Sequence, residues 1–142
     1  MTRGVFIDTS GWYALIDRRD PQHAQVSALV ARLIQDGRRL VTSDYVLDES
    51  CTLAKARSGS HMAFRLLDLV HQTVALDFQW VGSERFEAAE GQFRKYRDQA
   101  FSFTDCTSFA IMHEHRIREA ITMDEHFRIA GFRLLPGGNP RR

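Results

Sequence analysis

The chain has 142 residues, 44% of them hydrophobic and 26% charged, which is an ordinary globular composition at the length of one domain. A chain of this size buries enough surface to hold itself together, so a small scaffold that depends on disulfide or metal staples is excluded. Nineteen Lys and Arg against eighteen Asp and Glu give a formal charge of +1, which excludes a basic tail protein and an acidic solvating segment. Among the bases only Lys55 and Lys95 are lysine; the rest are arginines, whose planar fork suits phosphate. Cys51 and Cys106 stand far apart with no CxxC pattern, so a reducing cytoplasm is expected, with neither a disulfide framework nor a zinc ribbon. Asp8 interrupts the N-terminal apolar stretch and no apolar run approaches ~18 residues, so neither a secretory signal nor a membrane span is expected.

Gly4 to Ile7 reads as a short buried strand that leaves through a polar turn, Asp8-Thr9-Ser10-Gly11. Asp20-Pro21 offers an N-cap and a first-turn proline to a helix that carries Val26, Val30, Leu33 and Ile34 on one stripe and stops at Gly37. Leu40-Val41-Thr42 is a second strand. Ser43 or Asp44 then caps a helix to about Arg57, which Ser58-Gly59-Ser60 breaks. A helix from about His61 to His71 precedes a strand from Val74 to Val81, and Gly82-Ser83 opens a polar helix to about Tyr96. Ser102-Phe103-Thr104-Asp105 matches the S/T-x-x-D/E start of a helix with Phe109, Ile111 and Met112 on its apolar side. Ala120 to Met123 is a strand, Asp124 begins a short helix through Ile129, and Phe132 to Leu135 is an edge strand. This alternation predicts an α/β chain: three α/β/α layers around a central, mainly parallel sheet of four to five short strands, with right-handed crossovers. A single domain is expected over residues 1–135, with 136–142 a flexible tail.

In such sheets ligands bind beyond the carboxyl ends of the strands. Asp8 ends the first strand, Glu49 lies about a turn and a half into the helix after the second, Asp105 opens a helix, and Asp124 follows the strand Ala120 to Met123. All four acids are expected at that edge. Clustered carboxylates repel, and at least one is driven toward its protonated form. A hard divalent cation removes that penalty, and Mg²⁺ or Mn²⁺ suits an open carboxylate cup better than zinc does. Taken singly, each acid has an ordinary explanation. Helix capping serves for Asp105 and Asp124, an Asx-turn for Asp8, and a salt bridge to an arginine for Glu49, beside the apolar stripe of Val46 and Leu53. Together they point to a site for such a cation.

Four segments carry a resemblance: Val5-Phe6-Ile7-Asp8-Thr9-Ser10, Thr42-Ser43-Asp44-Tyr45-Val46-Leu47-Asp48-Glu49, Ser102-Phe103-Thr104-Asp105-Cys106-Thr107-Ser108-Phe109-Ala110 and Thr122-Met123-Asp124-Glu125-His126-Phe127. In that order, across nearly the whole chain, they resemble the four motifs of PIN-domain ribonucleases, and at this length the chain is most similar to a VapC-type toxin of a toxin–antitoxin pair. The resemblance implies a PIN-like fold and a metal-dependent endoribonuclease that blocks translation, leaving a 5′-phosphate and a 3′-hydroxyl. It assigns Asp8, Glu49, Asp105 and Asp124 to the site of Mg²⁺ or Mn²⁺, with Asp8 and Asp105 nearest the ion and Ser10 and Thr104 as flanking hydrogen-bonding groups. It also implies an RNA substrate, a VapB-type antitoxin that offers an arginine to the acids, a homodimer, and no membrane partner. The alternative is a non-catalytic RNA-binding or interaction module on a PIN-like fold, which predicts missing acids; here all four are present. Arg18, Arg19, Arg38, Arg39, Arg57, Arg94, Lys95 and Arg97 are candidates for a basic rim, and Trp12, Tyr13 and Phe101 for stacking an unpaired base.

Overall fold

The apolar triplet Val5-Phe6-Ile7 exposes no surface at all, as a parallel strand covered on both faces requires. In the computed structural model, which describes residues 4–137, this strand, β1 (Val5–Ile7), is the centre of a five-stranded parallel sheet. The others are β2 (Leu40–Ser43), β3 (Leu76–Gln79), β4 (Glu119–Ile121) and β5 (Arg133–Leu135), in the order β3-β2-β1-β4-β5. Phe6 stands opposite Val41 on one side and Ala120 on the other. Seven helices flank the sheet among the described residues: α1 (Thr9–Ile16), α2 (His23–Gln35), α3 (Asp44–Ser58), α4 (Ser60–Gln72), α5 (Gly82–Lys95), α6 (Phe103–Glu114) and α7 (Glu125–Ile129). The parallel α/β architecture expected from the alternation of elements is the one observed, with β5 at one edge and β3 at the other. None of these helices is long and apolar enough to cross a membrane. Of the tail expected at 136–142, residues 138–142 lie outside the described residues.

Two expectations at the N-terminal half need correction. The segment after β1 is no polar turn: α1 starts at Thr9, with Asp8 as an extended N-cap residue whose side chain makes no cap bond. Gly11 permits this immediate turn into helix. A Cβ at that position would lie 2.5 Å from the carbonyl oxygen of Ile121, so α1 can meet the end of β4 only because no side chain intervenes. Gly11→Ala is therefore expected to destabilise the fold by about 1–3 kcal/mol despite alanine's better helix propensity. A lowered urea midpoint is the measurement.

The second correction concerns Asp20-Pro21, which does not start α2. Asp20 accepts the N–H of Gln22 on its side chain at 2.8 Å and the N–H of His23 on its carbonyl at 2.9 Å, forming a turn, and helix geometry begins at His23. The His23 imidazole is anchored to the Ala14 carbonyl at 2.7 Å, which ties the start of α2 to α1 and sets where the helix begins.

Between α1 and the sheet lies Trp12, 1% exposed. Its indole N–H donates to the Thr42 hydroxyl at 3.0 Å, and Thr42 in turn donates to the Ile7 carbonyl at 2.9 Å. This buried chain satisfies each polar group and fixes α1 over β1 and β2. Trp12 is thus a core residue, closed to any base. At the sheet edge the apolar run is shorter than expected because Val74, 99% exposed, stays outside β3.

Candidate active site

β1 has β2 on one side and β4 on the other, so the chain changes direction of winding between β1 and β4, where parallel sheets open a crevice at their carboxyl ends. Asp8 follows β1 directly, and Thr122 and Asp124 follow β4. The Asp8 N–H donates to the Ile121 carbonyl at 3.1 Å. The Asp8 carboxylate accepts the Thr122 hydroxyl at 3.0 Å, and the same Thr122 oxygen accepts the Asp124 N–H at 3.0 Å. Ser10 closes the network, accepting the Met123 N–H at 2.8 Å and lying 3.3 Å from the Thr122 hydroxyl. Two strand ends are thereby fastened together around Asp8.

Asp105 reaches this crevice from the start of α6. Ser102 accepts the Asp105 N–H at 2.9 Å while the Asp105 carboxylate accepts the Ser102 N–H at 3.1 Å, the reciprocal capping box that the S-x-x-D pattern predicts. Asp124 caps α7 by accepting the His126 N–H at 2.9 Å. The His126 imidazole Nδ1 then lies 3.1 Å from Asp105 and 3.3 Å from Asp124. One ligand atom from each of Asp105, Asp124 and His126 falls within 4.8 Å of the other two.

A cavity of about 390 Å³ gathers the expected acids: Asp8, Glu49, Asp105 and Asp124 all line it, with Ser10, Ser102 and His126 beside them. Glu49 differs from its expectation. It is exposed, and its carboxylate accepts the Thr9 hydroxyl at 2.7 Å rather than an arginine. The helix turns it toward the cavity rim, so no buried charge had to be compensated. Thr104 does not line the cavity; its carbonyl accepts the Thr107 hydroxyl at 2.7 Å. The capping box joins the N-cap to the third helical residue and passes over Thr104, which leaves Ser102 as the group that holds Asp105.

Most of the expected basic rim is elsewhere. Arg38 pairs with Glu119, Arg39 with Asp77 and Arg94 with Glu90, and only Arg57 of the candidates lines the acidic cavity. Tyr13 lines it too, under the Arg57 guanidinium at 5.5 Å. Phe101 packs edge-on against His126 and Phe109.

Burial pushes the Asp8 carboxyl up from 3.8 to about 7; the Thr9 amide and the Thr122 hydroxyl oppose the shift, and the charges of Asp105 and Glu49 add to it. Asp105 is also raised, by burial first and then by Asp124, against the Ser102 amide and the His126 ring. Both are nearly out of solvent, at 4% and 6% exposure. Without a cation the site is electrostatically frustrated, a penalty that a divalent ion among these carboxylates would relieve. The donor set fits Mg²⁺ or Mn²⁺. The neighbouring Cys106 is fully buried, and burial pushes its thiol up to about 11, which leaves it un-ionised and inert.

A sequence model of the PIN domain matches residues 5–133, a span that contains all four acids and His126. The chain belongs to the PIN-domain family. Among PIN-domain proteins, the 23S rRNA-specific endonuclease VapC20 of Mycobacterium tuberculosis is 31% identical over 128 residues, covering 90% of this chain and 95% of that protein. Ribonuclease VapC26 of the same organism is 29% identical over 135 residues, covering 94% and 96%. The crystal structure of VapC20, described as a Sarcin-Ricin loop cleaving toxin, superposes with a TM-score of 0.80 over 91% of this chain and 96% of that one. VapBC2 from Rickettsia felis, solved on a promoter DNA fragment, shares the PIN fold at a TM-score of 0.67 and 14% identity, over 92% and 96%.

Three groups of this PIN domain escaped the sequence reading. His126 stands two residues after the acid that caps α7, a D-x-H spacing that puts both side chains on one first turn. Thr9 and Thr122 each neighbour an acid by one or two positions in sequence. Hydroxyls are too common in such places to be singled out without coordinates.

Proposed function

We propose that this chain is a metal-dependent endoribonuclease, the toxin of a VapBC-type pair, built as one PIN domain over residues 1–135. The observation that carries the reading is the convergence of Asp8, Glu49, Asp105 and Asp124 on one cavity at the winding switch of the sheet. Asp105, Asp124 and His126, with Asp8 lining the same cavity, would hold Mg²⁺ or Mn²⁺. When bound, such a cation neutralises developing charge on phosphate oxygens and acidifies water. The chain's own contribution is placement. Thr122 fixes the Asp8 carboxylate, Ser102 fixes that of Asp105, and Thr9 occupies one oxygen of Glu49, which leaves the other to accept a hydrogen bond from the attacking water. No protein nucleophile is needed, and the products carry a 5′-phosphate and a 3′-hydroxyl.

The partners follow from the same reading: a VapB-type antitoxin that places an arginine among the acids, and a second copy of the chain in a homodimer. The 23S rRNA named for the VapC20 relative is the first substrate to test. Purified protein with ribosomes and Mg²⁺ or Mn²⁺ is expected to create discrete new 5′-phosphate ends, and none in excess chelator. Undiminished cleavage in chelator would sink the metal-dependent mechanism.

A further inference from the structure

One face of α3 carries Glu49, Leu53 and Arg57 at intervals of four, and all three line the acidic cavity. From the first to the last is eight steps along the chain, about 12 Å of helix. Beyond Arg57 a second cleft continues, formed by the end of α1, the turn after it, the end of α3 and the start of α4, with Arg18, Arg19, Arg57, His61 and Arg65 in its walls. Arg57 belongs to both. The acid in this cleft, Asp17, is taken by Arg19: the Arg19 amide donates to it at 2.9 Å and the guanidinium at 3.3 Å, which holds its carboxyl below 3.8. Arg18, Arg57 and Arg65 have no carboxylate partner among the described residues. Arg57 is braced by the Tyr13 ring, whose hydroxyl is 2.7 Å from that of Ser58.

We propose that Arg18, Arg57 and Arg65 form a phosphate track that carries the single-stranded RNA backbone away from the carboxylate cavity along α3. The inference rests on the nuclease reading and deepens it. A trough with acids at one end and unpaired guanidinium groups at the other suits a chain of phosphates once a cation fills the acidic end. An acidic protein segment would meet five carboxylates there, Asp20 among them, with no phosphate to bridge to the cation. The arginines bind backbone rather than bases, so the track adds affinity with little sequence preference.

The test compares binding of a fluorescent single-stranded oligoribonucleotide over a range of salt in an Asp8→Asn background, which spares the RNA from cleavage. Replacing all three arginines by alanine is expected to lower affinity and make the slope of log K against log salt shallower by about 2, at ~0.7 for each phosphate no longer neutralised. Arg18→Lys/Arg57→Lys/Arg65→Lys restores the slope. The matched control removes Arg116, Arg118 and Arg133, which line a cavity at the opposite ends of the strands, and is expected to leave the slope unchanged. An unchanged slope in the first triple variant, or an equal change in the control, overturns the track. If instead the otherwise wild-type protein neither binds nor cleaves RNA, it is the nuclease reading that fails. Should the triple variant melt early by circular dichroism, Arg18→Ala alone carries the test, with a slope change of about 0.7.

Discussion

Replacing Asp8 by Asn is expected to stabilise the cation-free protein at neutral pH while abolishing cleavage. The fold raises the Asp8 carboxyl from 3.8 to about 7, with burial the main cause. Below about pH 4 the group is protonated in both folded and unfolded chains and costs nothing. As pH rises toward 7 the unfolded chain releases this proton while the folded one keeps it, so the unfolded state binds fewer protons and stability falls. Above pH 7 the full cost is on the order of 4 kcal/mol. Asparagine keeps the shape, retains an oxygen to accept the Thr122 hydroxyl, and carries no charge to desolvate.

The wild-type protein in chelator should therefore lose urea resistance between about pH 4 and 7, and Asp8→Asn should lose markedly less. Adding Mn²⁺ should stabilise the wild type more than the variant, which still offers Asp105, Asp124 and His126 to the ion but has no Asp8 charge left to neutralise. Cleavage by Asp8→Asn is expected to fall to the level of chelated wild type. Parallel pH profiles for the two proteins would show that the site carries no such penalty. A variant that gains stability as it loses activity is the signature of a carboxylate kept for its cation rather than for its fold.

The sequence made Asp8, Asp105 and Asp124 legible because each follows a strand or caps a helix, and a parallel sheet sends every strand end to the same edge. The capping box at Ser102 and Asp105 could be read because both partners are local and the pattern has a fixed spacing. Glu49 was harder. Its helical neighbours suggested burial, but helical periodicity cannot say how far a helix rises above the sheet, and α3 carries this residue to the rim. Trp12 shows the same limit from the other side: an aromatic near a strand end is as ready to fill the core as to face a substrate. The immediate start of α1 depended on Gly11 meeting Ile121, a contact 110 positions away in sequence, which no local rule contains. His126 was hidden for a related reason, since its value comes from Asp105 on another helix.

His126 should contribute nitrogen to the cation, and its removal is the second large effect expected. Nδ1 lies within about 3.3 Å of carboxylate oxygens from two helices, and Phe101 packs edge-on against the ring at 5.8 Å, limiting its rotation. Mg²⁺ takes oxygen ligands and keeps much of its water, whereas Mn²⁺ also accepts imidazole. The wild-type protein is therefore expected to bind Mn²⁺ more tightly than Mg²⁺. His126→Ala should weaken Mn²⁺ by at least the roughly 10–100-fold that loss of even an indirect partner costs, with a smaller loss for Mg²⁺. Calorimetric titration of each ion into each protein reads the difference without any substrate present. Paramagnetic resonance of bound Mn²⁺ should show nitrogen modulation in the wild type and none in His126→Ala. If the modulation is missing from the wild type and the two proteins bind Mn²⁺ alike, the imidazole only bridges Asp105 and Asp124, and the site is an all-oxygen one.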